Sequence, residues 1–181
     1  MQVIITTAHP DCPRLMQILD DRQIRQKIRR IAIEILERNF SEPEIILAGL
    51  NKNGLGFARF LLDELTPLAP AGMKITLTRI RLNPANPVEY EPSIELDAVE
   101  LRGKPVIIVD DVANTGRTIF YAVQPLLQAI PKKVEVAVLV DRKHKLFPIK
   151  ADYVGLSLAT TLLDDIDVRI RDVETMAVFL N

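Results

Sequence analysis

Four consecutive β-branched residues followed directly by two aspartates constrain the fold more than any other feature of this chain. The run Val106–Val109 precedes Asp110 and Asp111 without a break. Such an apolar run is typical of a strand buried on both faces of a parallel sheet. Adjacent carboxylates are costly inside a protein, so they mark where the strand emerges from the sheet. The segment predicts a central parallel strand that ends at a polar site.

Strands and helices are predicted to alternate along the rest of the chain. Strands are predicted at Glu44–Leu50, within Met73–Leu82, and at Pro105–Val109, Val134–Val140 and Ile149–Leu158. Helices are predicted from Asp20-Asp21 through the apolar stripe Ile24–Leu36, and over Leu55–Leu65 and Thr115–Ile130. This order predicts an α/β fold: a mainly parallel twisted sheet flanked by helices, which binds ligands beyond the carboxyl ends of its strands. We expect one domain over residues 1–181, with Val173–Leu180 as an edge strand.

Charge, cysteine content and hydropathy exclude several classes of protein. The 23 basic and 24 acidic residues nearly cancel, so the chain as a whole is not a polycation. The single Cys12 excludes an intramolecular disulfide and a multi-cysteine metal site. No apolar run approaches the roughly 20 residues that span a bilayer, and no secretory signal is visible. We expect a cytoplasmic protein with no membrane partner.

The residues after the acidic pair have the composition of an anion-binding loop. They are Ala113, Asn114, Thr115, Gly116, Arg117 and Thr118, at the predicted start of a helix. Unpaired N–H groups at a helix start suit a phosphate, and a glycine lets the backbone close around it. The two carboxylates would repel a phosphate, so their partners are hydroxyl groups, a cationic centre or a metal. A sugar phosphate supplies hydroxyls and, when its leaving group departs, a cationic C1.

Other classes of protein also place two aspartates after a strand. Receiver domains that bind magnesium and many phosphatases have this pattern, and a purely structural turn is a further alternative. None of these requires the Thr-Gly-Arg-Thr turn formed by residues 115–118. We therefore prefer the interpretation that the segment binds a sugar phosphate, specifically a phosphoribosyl group.

The segment Val106–Thr118 resembles the signature with which type I phosphoribosyltransferases bind phosphoribosyl pyrophosphate (PRPP). The resemblance implies a small hood and a mobile loop, here Asn83–Pro92, added to the sheet. It implies that Asp110 and Asp111 contact the ribose hydroxyls and that residues 113–118 hold the 5′-phosphate. It also implies Mg²⁺ as the cofactor, carried by PRPP rather than by a certain protein ligand.

A second phosphate loop is expected after an earlier strand. The segment Asn51-Lys52-Asn53-Gly54 occupies that place, although Lys-Asn-Gly alone would be an ordinary turn. The resemblance implies that this loop binds pyrophosphate, and that Lys52 and Arg79 join the two aspartates as catalytic residues. Where the family has an arginine in this loop, the chain has Asn53.

Two further segments, Ala137–Lys145 and Phe147–Gly155, resemble bifunctional pyrimidine-operon regulators with uracil phosphoribosyltransferase activity. This resemblance implies a homodimer or higher oligomer and a uracil site closed by Ala159-Thr160-Thr161. The implied base-binding residues are Val154, Gly155, Leu156, Ser157 and Leu158. The family's Gly-Lys-Asn is Gly155-Leu156-Ser157 here, so another base stays open as an alternative.

The same resemblance implies a messenger RNA leader as a partner. The implied RNA-binding residues are Arg29, Arg30, Arg142, His144, Lys145 and Lys150. Without the resemblance, the arginines of the first helix are a solvated face and His144 is a surface histidine. The alternative to a full enzyme is therefore a nucleotide-sensing RNA-binding regulator with weak or no catalysis.

Overall fold

The structure is a computed structural model that describes residues 16–159 and 165–181. Its elements in chain order are β1 (Met16–Leu19), α1 (Asp21–Arg38), β2 (Glu44–Leu50), α2 (Asn53–Leu65), β3 (Lys74–Arg81), β4 (Ser93–Ile94), α3 (Ala98–Leu101), β5 (Pro105–Ala113), α4 (Arg117–Ala122), a 3₁₀ helix (Gln124–Leu126), β6 (Lys133–Arg142), β7 (Tyr153–Leu158), β8 (Ile166–Arg169) and β9 (Ala177–Leu180). Within the described ranges, no helix combines the length and apolarity needed to cross a membrane.

The main sheet has six strands in the order β4-β3-β2-β5-β6-β7. All neighbours are parallel except the two-residue β4, which runs antiparallel to β3. The β-branched run lies in β5, between β2 and β6, where both edges of the strand are hydrogen-bonded. The predicted fold class and the central position of this strand are confirmed.

Side chains of β5 alternate between two cores, one on each face of the sheet. Ile107 and Val109 pack in a core with α1 and α2. Val106 and Ile108 pack in a second core with the residues of α3, α4 and the 3₁₀ helix. Because successive side chains of a strand point to opposite faces, four apolar residues in a row require both faces to be covered.

Helix α1 begins where the sequence predicts. The Oδ1 atom of Asp20 accepts a hydrogen bond from the Gln23 amide at 2.8 Å, and the Gln23 side chain accepts one from the Asp20 amide at 2.9 Å. This reciprocal capping satisfies two N–H groups that have no partner inside the helix. The buried side of the helix is the predicted apolar stripe, and it packs against α2 and β7.

The chain termini form a second, three-stranded antiparallel sheet of β1, β9 and β8, which we call the hood. The prediction of an edge strand over Val173–Leu180 is wrong, because β9 is the central strand of the hood and pairs on both sides. Met176 and Val178 bury their side chains in the core beneath α1 and α2. The hood is thereby attached to the same layer of the protein as the first two helices.

The predicted start of the last main-sheet strand and the predicted end of the helix after β5 are wrong. The helix predicted over Thr115–Ile130 ends at Ala122 and continues only as a 3₁₀ turn. Pro125 has no N–H group to donate to the preceding turn, so a regular helix does not pass through it. The last strand of the main sheet begins at Tyr153 rather than Ile149, because the Asp152 carboxylate accepts a hydrogen bond from the Val136 amide at 2.9 Å and bends the chain there.

Candidate active site

The acidic pair lies inside β5 rather than after it. Pairing of β5 with β2 stops at Val109, whereas pairing with β6 continues to Ala113. The predicted end of the strand at Val109 is therefore wrong, because β6 accompanies it for four more residues. Asp110 and Asp111 thus lie where one neighbouring strand has ended and the other has not, which opens a cleft beside them.

This acidic cleft has a volume of about 490 Å³. Its lining residues are Asn51, Lys52, Asn53, Arg79, Pro84, Asp110, Asp111 and Thr118. All four predicted catalytic residues are thus brought together by the ends of three neighbouring strands. Asn51 and Pro84 were not predicted as ligand residues, although both lie in loops that the sequence analysis predicted at the site.

Burial raises the pKa of both aspartates. Asp110 has its pKa raised well above the ordinary value by burial and by the charge of Asp111. Burial also raises the pKa of Asp111, although hydrogen bonds from Asp110, the Val112 amide and the Asn53 side chain oppose the effect. The distances from Asp111 to the last two donors are 3.0 and 3.2 Å. A pair that resists full ionisation favours ligands that donate hydrogen bonds or carry positive charge.

Gly54 allows the Lys52-Asn53 turn to approach the acidic pair. A Cβ atom on Gly54 would lie 2.3 Å from the Val109 carbonyl oxygen and 3.2 Å from the Asp110 Cα atom. Both atoms belong to the backbone of β5, so neither can rotate away. The predicted ligand residue Gly54 therefore has a steric role: it allows α2 to start against the end of β5.

Asn51 connects the same turn to β3 through two hydrogen bonds. Its backbone has a φ of +52°, in the left-handed region that asparagine tolerates better than most residues. Its Oδ1 atom accepts a hydrogen bond from the Leu82 amide at 3.1 Å, and its amide donates to the Ile80 carbonyl at 2.8 Å. An asparagine directly after a buried strand was the sequence signal for this role.

A smaller concavity of about 60 Å³ lies beside the acidic cleft. It is lined by Asp110, Val112, Ala113, Asn114, Thr115, Gly116, Arg117, Thr118 and Ile119. Gly116 adopts a φ of +83°, which turns the backbone into the helix α4 and is costly for a residue with a Cβ atom. Asp110 and Thr118 line both spaces, so a single ligand can occupy the two together.

Arg79 presents an unsatisfied donor at the cleft. Its Nε atom is buried and has no hydrogen-bond partner in the part of the chain that the structure describes. The residue also borders a larger cavity of about 880 Å³ between α2 and the hood, together with Lys52 and Arg171. A buried N–H group without a partner is costly, so this position favours an anionic or carbonyl ligand.

The predicted base-binding residues lie within β7, the edge strand of the main sheet. The carbonyl of Val154 accepts a hydrogen bond from the Arg30 Nη2 atom at 2.5 Å, and that of Gly155 accepts from Arg30 and Lys27, each at 3.0 Å. No residue of 154–158 is among the described residues that line the acidic cleft. Thr160 and Thr161 lie outside the described residues, so base binding by this segment stays a prediction.

The six predicted RNA-binding residues divide into two groups. Arg29, His144 and Lys150 are exposed. Arg30, Arg142 and Lys145 each bond within the protein: Arg30 to β7, Arg142 to the Asn114 side chain at 3.2 Å, and Lys145 to the end of β5. Among the described residues, the first group has no such hydrogen bond within the protein, and RNA binding stays a prediction for all six.

An Asp110→Asn variant is expected to be more stable than the parent protein at neutral pH. Because burial raises the pKa of Asp110 in the folded state, the protonated side chain stabilises the fold. This stabilisation is complete below the ordinary pKa of about 3.9. It is lost as the pH rises through the folded-state pKa. Asparagine stays neutral at every pH and avoids this loss. The Tm should rise by about 2–4 °C for each kcal/mol recovered.

Calorimetry of the Asp110→Asn variant and its parent between about pH 5 and 8 measures this difference, which should grow with pH. The matched control is Glu37→Gln, which removes an exposed carboxylate on α1 and should leave the Tm unchanged. A variant less stable than the parent at pH 7 would show that the ionised pair stabilises the fold.

A family model and curated relatives place the chain in the same family. The family model described as "Phosphoribosyl transferase domain" matches residues 15–174. The chain is 36% identical over 160 residues to the "Bifunctional protein PyrR" of Streptococcus pyogenes serotype M12, which covers 87% of this chain and 91% of the relative. It is 37% identical over 165 residues to the protein of the same name from Clostridium perfringens, with coverage of 87% and 91%.

A solved structure shares the fold. The crystal structure of a hypoxanthine-guanine phosphoribosyltransferase from Bacillus anthracis superposes with a TM-score of 0.68 and 21% identity, and covers 89% of this chain and 95% of its own. At this identity the superposition establishes the fold alone.

Proposed function

Because the chain belongs to the phosphoribosyl transferase domain family, we propose that it transfers the ribose 5-phosphate of PRPP to a nucleobase and releases pyrophosphate. One observation supports the proposal most directly: Asp110 and Thr118 border both the acidic cleft and the anion-sized concavity. A ribose 5-phosphate has hydroxyl groups for the first space and a phosphate for the second.

The acidic pair has a defined task in this reaction. Pyrophosphate leaves C1 of the ribose as a base nitrogen attacks, and positive charge develops on the sugar. Asp110 and Asp111 accept hydrogen bonds from the ribose hydroxyls and place negative charge near the developing cation. Such a reaction requires positioning and electrostatic stabilisation rather than a covalent nucleophile.

Lys52 and Arg79 act on the leaving group. Pyrophosphate supplies the acceptor that the buried Arg79 Nε atom lacks, and the Lys52 ammonium adds a point charge. The Asn83–Pro92 loop is tethered at one end, because the Pro84 carbonyl accepts a hydrogen bond from Arg117 at 3.0 Å. Closure of this loop over the cleft would exclude water from the reacting groups.

A magnesium ion fits this site only as part of the substrate. The described residues contain no group of three or more His, Cys, Asp or Glu side chains that would hold a metal by themselves. Mg²⁺ is octahedral and is commonly held by one or two carboxylates together with phosphate oxygens and water. When bound with PRPP, it would offset the charge of the pyrophosphate and make it a better leaving group.

We infer that the base is uracil. Support comes from the resemblance of the segments around Asp141 and Asp152 to pyrimidine-operon regulators, and from the relatives named Bifunctional protein PyrR. The test is to incubate the protein with PRPP, Mg²⁺ and each common nucleobase, and to measure pyrophosphate release. Uracil is expected to exceed every other base by at least about 100-fold in kcat/KM. Preference for hypoxanthine or guanine would contradict the inference.

A second candidate function is a nucleotide-sensing RNA-binding regulator. It is supported by the exposed positions of Arg29, His144 and Lys150. A gel shift with pyrimidine leader RNA at several salt concentrations separates the two functions, because phosphate contacts make RNA affinity fall steeply with salt. Pyrophosphate release without a gel shift favours the enzyme alone, whereas a gel shift without release favours the regulator.

A further inference from the structure

Lys145 is held at the end of β5 by three oxygen atoms. Its Nζ atom donates hydrogen bonds to the Ala113 carbonyl at 3.0 Å, to the Asp141 Oδ1 atom at 2.5 Å and to the Arg142 carbonyl. The side chains of Lys145 and Asp141 are only 16% and 19% exposed. An ammonium group has three N–H donors, and here each has an acceptor within the protein. The Lys145 side chain therefore has little freedom to move.

The residues that follow Lys145 contact the same loop. The amides of Leu146 and Phe147 both donate to the Thr115 carbonyl, at 3.0 and 3.1 Å. A Cβ atom on Gly116 would lie 3.2 Å from the Ile149 Cβ atom and 3.5 Å from the Lys145 Cδ atom. Residues 145–149, which we call the brace, therefore contact the loop and are not among the described residues that line its concavity.

Contacts from outside the loop at residues 113–118 can hold its shape without occupying its amides. The loop leaves the sheet after Ala113, the last residue of β5 that pairs with β6. Its amides can bind an anion only if they are not used by the loop itself, so they cannot also hold its shape. The brace bonds to carbonyl groups of the loop, at Ala113 and Thr115, and these bonds use none of the loop's amides.

We propose that Lys145 is a positioning residue for the 5′-phosphate loop. It acts through the Ala113 carbonyl and the Asp141 carboxylate, and it is not among the residues that line the phosphate concavity. This inference rests on the proposed phosphoribosyltransferase function. It assigns to Lys145 a role inside the protein, beside the RNA contact that the resemblance implied.

A Lys145→Met variant separates positioning from charge. The KM for PRPP is expected to rise about tenfold, because a charge-assisted hydrogen bond to the loop is lost, whereas kcat changes by less than about twofold. Lys145→Arg keeps a donor and a positive charge and should restore most of the affinity. The control Lys143→Met removes an exposed charge two residues away and should leave the KM unchanged.

The parent protein is assayed first, so that two failures can be told apart. If the parent releases no pyrophosphate from PRPP with any base, the proposed function fails. If the parent is active and Lys145→Met has an unchanged KM for PRPP, or if Lys145→Arg restores nothing, Lys145 is not a positioning residue. Asp141→Asn weakens the same ion pair and should also raise the KM for PRPP. If Lys145→Met does not fold, this variant tests the proposal: an unchanged KM would contradict it.

Discussion

An Asp111→Asn variant is expected to lose about 10²–10³-fold in kcat with PRPP, the effect of removing one preorganised electrostatic group. Asp111 borders the acidic cleft, and its Oδ2 atom is 3.2 Å from the Asn53 amide nitrogen. Asparagine has nearly the same shape but carries no charge, so it cannot stabilise positive charge on the ribose. The fold should remain intact, because burial already opposes ionisation of this residue.

The loss is measured as single-turnover pyrophosphate release at saturating PRPP, together with the circular dichroism spectrum and Tm of the variant. Glu37→Gln on α1 is the matched control, since it removes an exposed carboxylate outside the cleft. Activity within about threefold of the parent would remove Asp111 from the set of residues that stabilise the transition state.

A Gly54→Ala variant is expected to lose both stability and PRPP binding. The added Cβ atom would lie 2.3 Å from the Val109 carbonyl oxygen, so α2 must shift away from β5. Overpacking of this kind costs about 1–3 kcal/mol. The shift moves Lys52 and Asn53 away from the acidic pair, and a displacement of about 1 Å at a site can cost 10²-fold in rate.

Gly56→Ala on the same helix provides the matched control for Gly54→Ala. A Cβ atom on Gly56 would lie 3.5–3.8 Å from side-chain atoms of Arg171, which is ordinary contact. Because alanine favours a helix over glycine, this variant should be more stable by about 0.5–1 kcal/mol. Urea unfolding and the KM for PRPP are measured for both. Equal stability and equal KM in the two variants would show that the close approach at Gly54 is unimportant.

Local sequence patterns predicted most of the sheet and the chemical character of the site. The β-branched run gave a central strand because its side chains need burial on both faces. Asp20 gave the start of α1 because a carboxylate accepts from the unpaired amides of the first turn. The residue order Asp110 to Thr118 placed the carboxylates beside the loop at residues 113–118, because residues close in sequence cannot lie far apart. Each of these conclusions depends on residues close together in the chain.

Long-range pairing decided what the sequence left open. The acidic pair lies inside β5 because β6 extends past β2, a difference in strand length that no local pattern records. The C-terminal strand became the centre of the hood because β1, at the other end of the described chain, pairs with it.

The sequence by itself determined a parallel sheet and predicted a ribose-phosphate site, because hydrophobic periodicity and turn chemistry act between near neighbours. Only the tertiary structure decided that Gly54 is needed for clearance and that Lys145 bonds to the loop at residues 113–118. The role of Lys145 depends on a bond to Ala113, which is 32 positions away in the sequence. The role of Gly54 depends on its close approach to Val109, an atom of which belongs to the backbone of β5. Such contacts form when the whole chain packs, so the residue type alone does not reveal them.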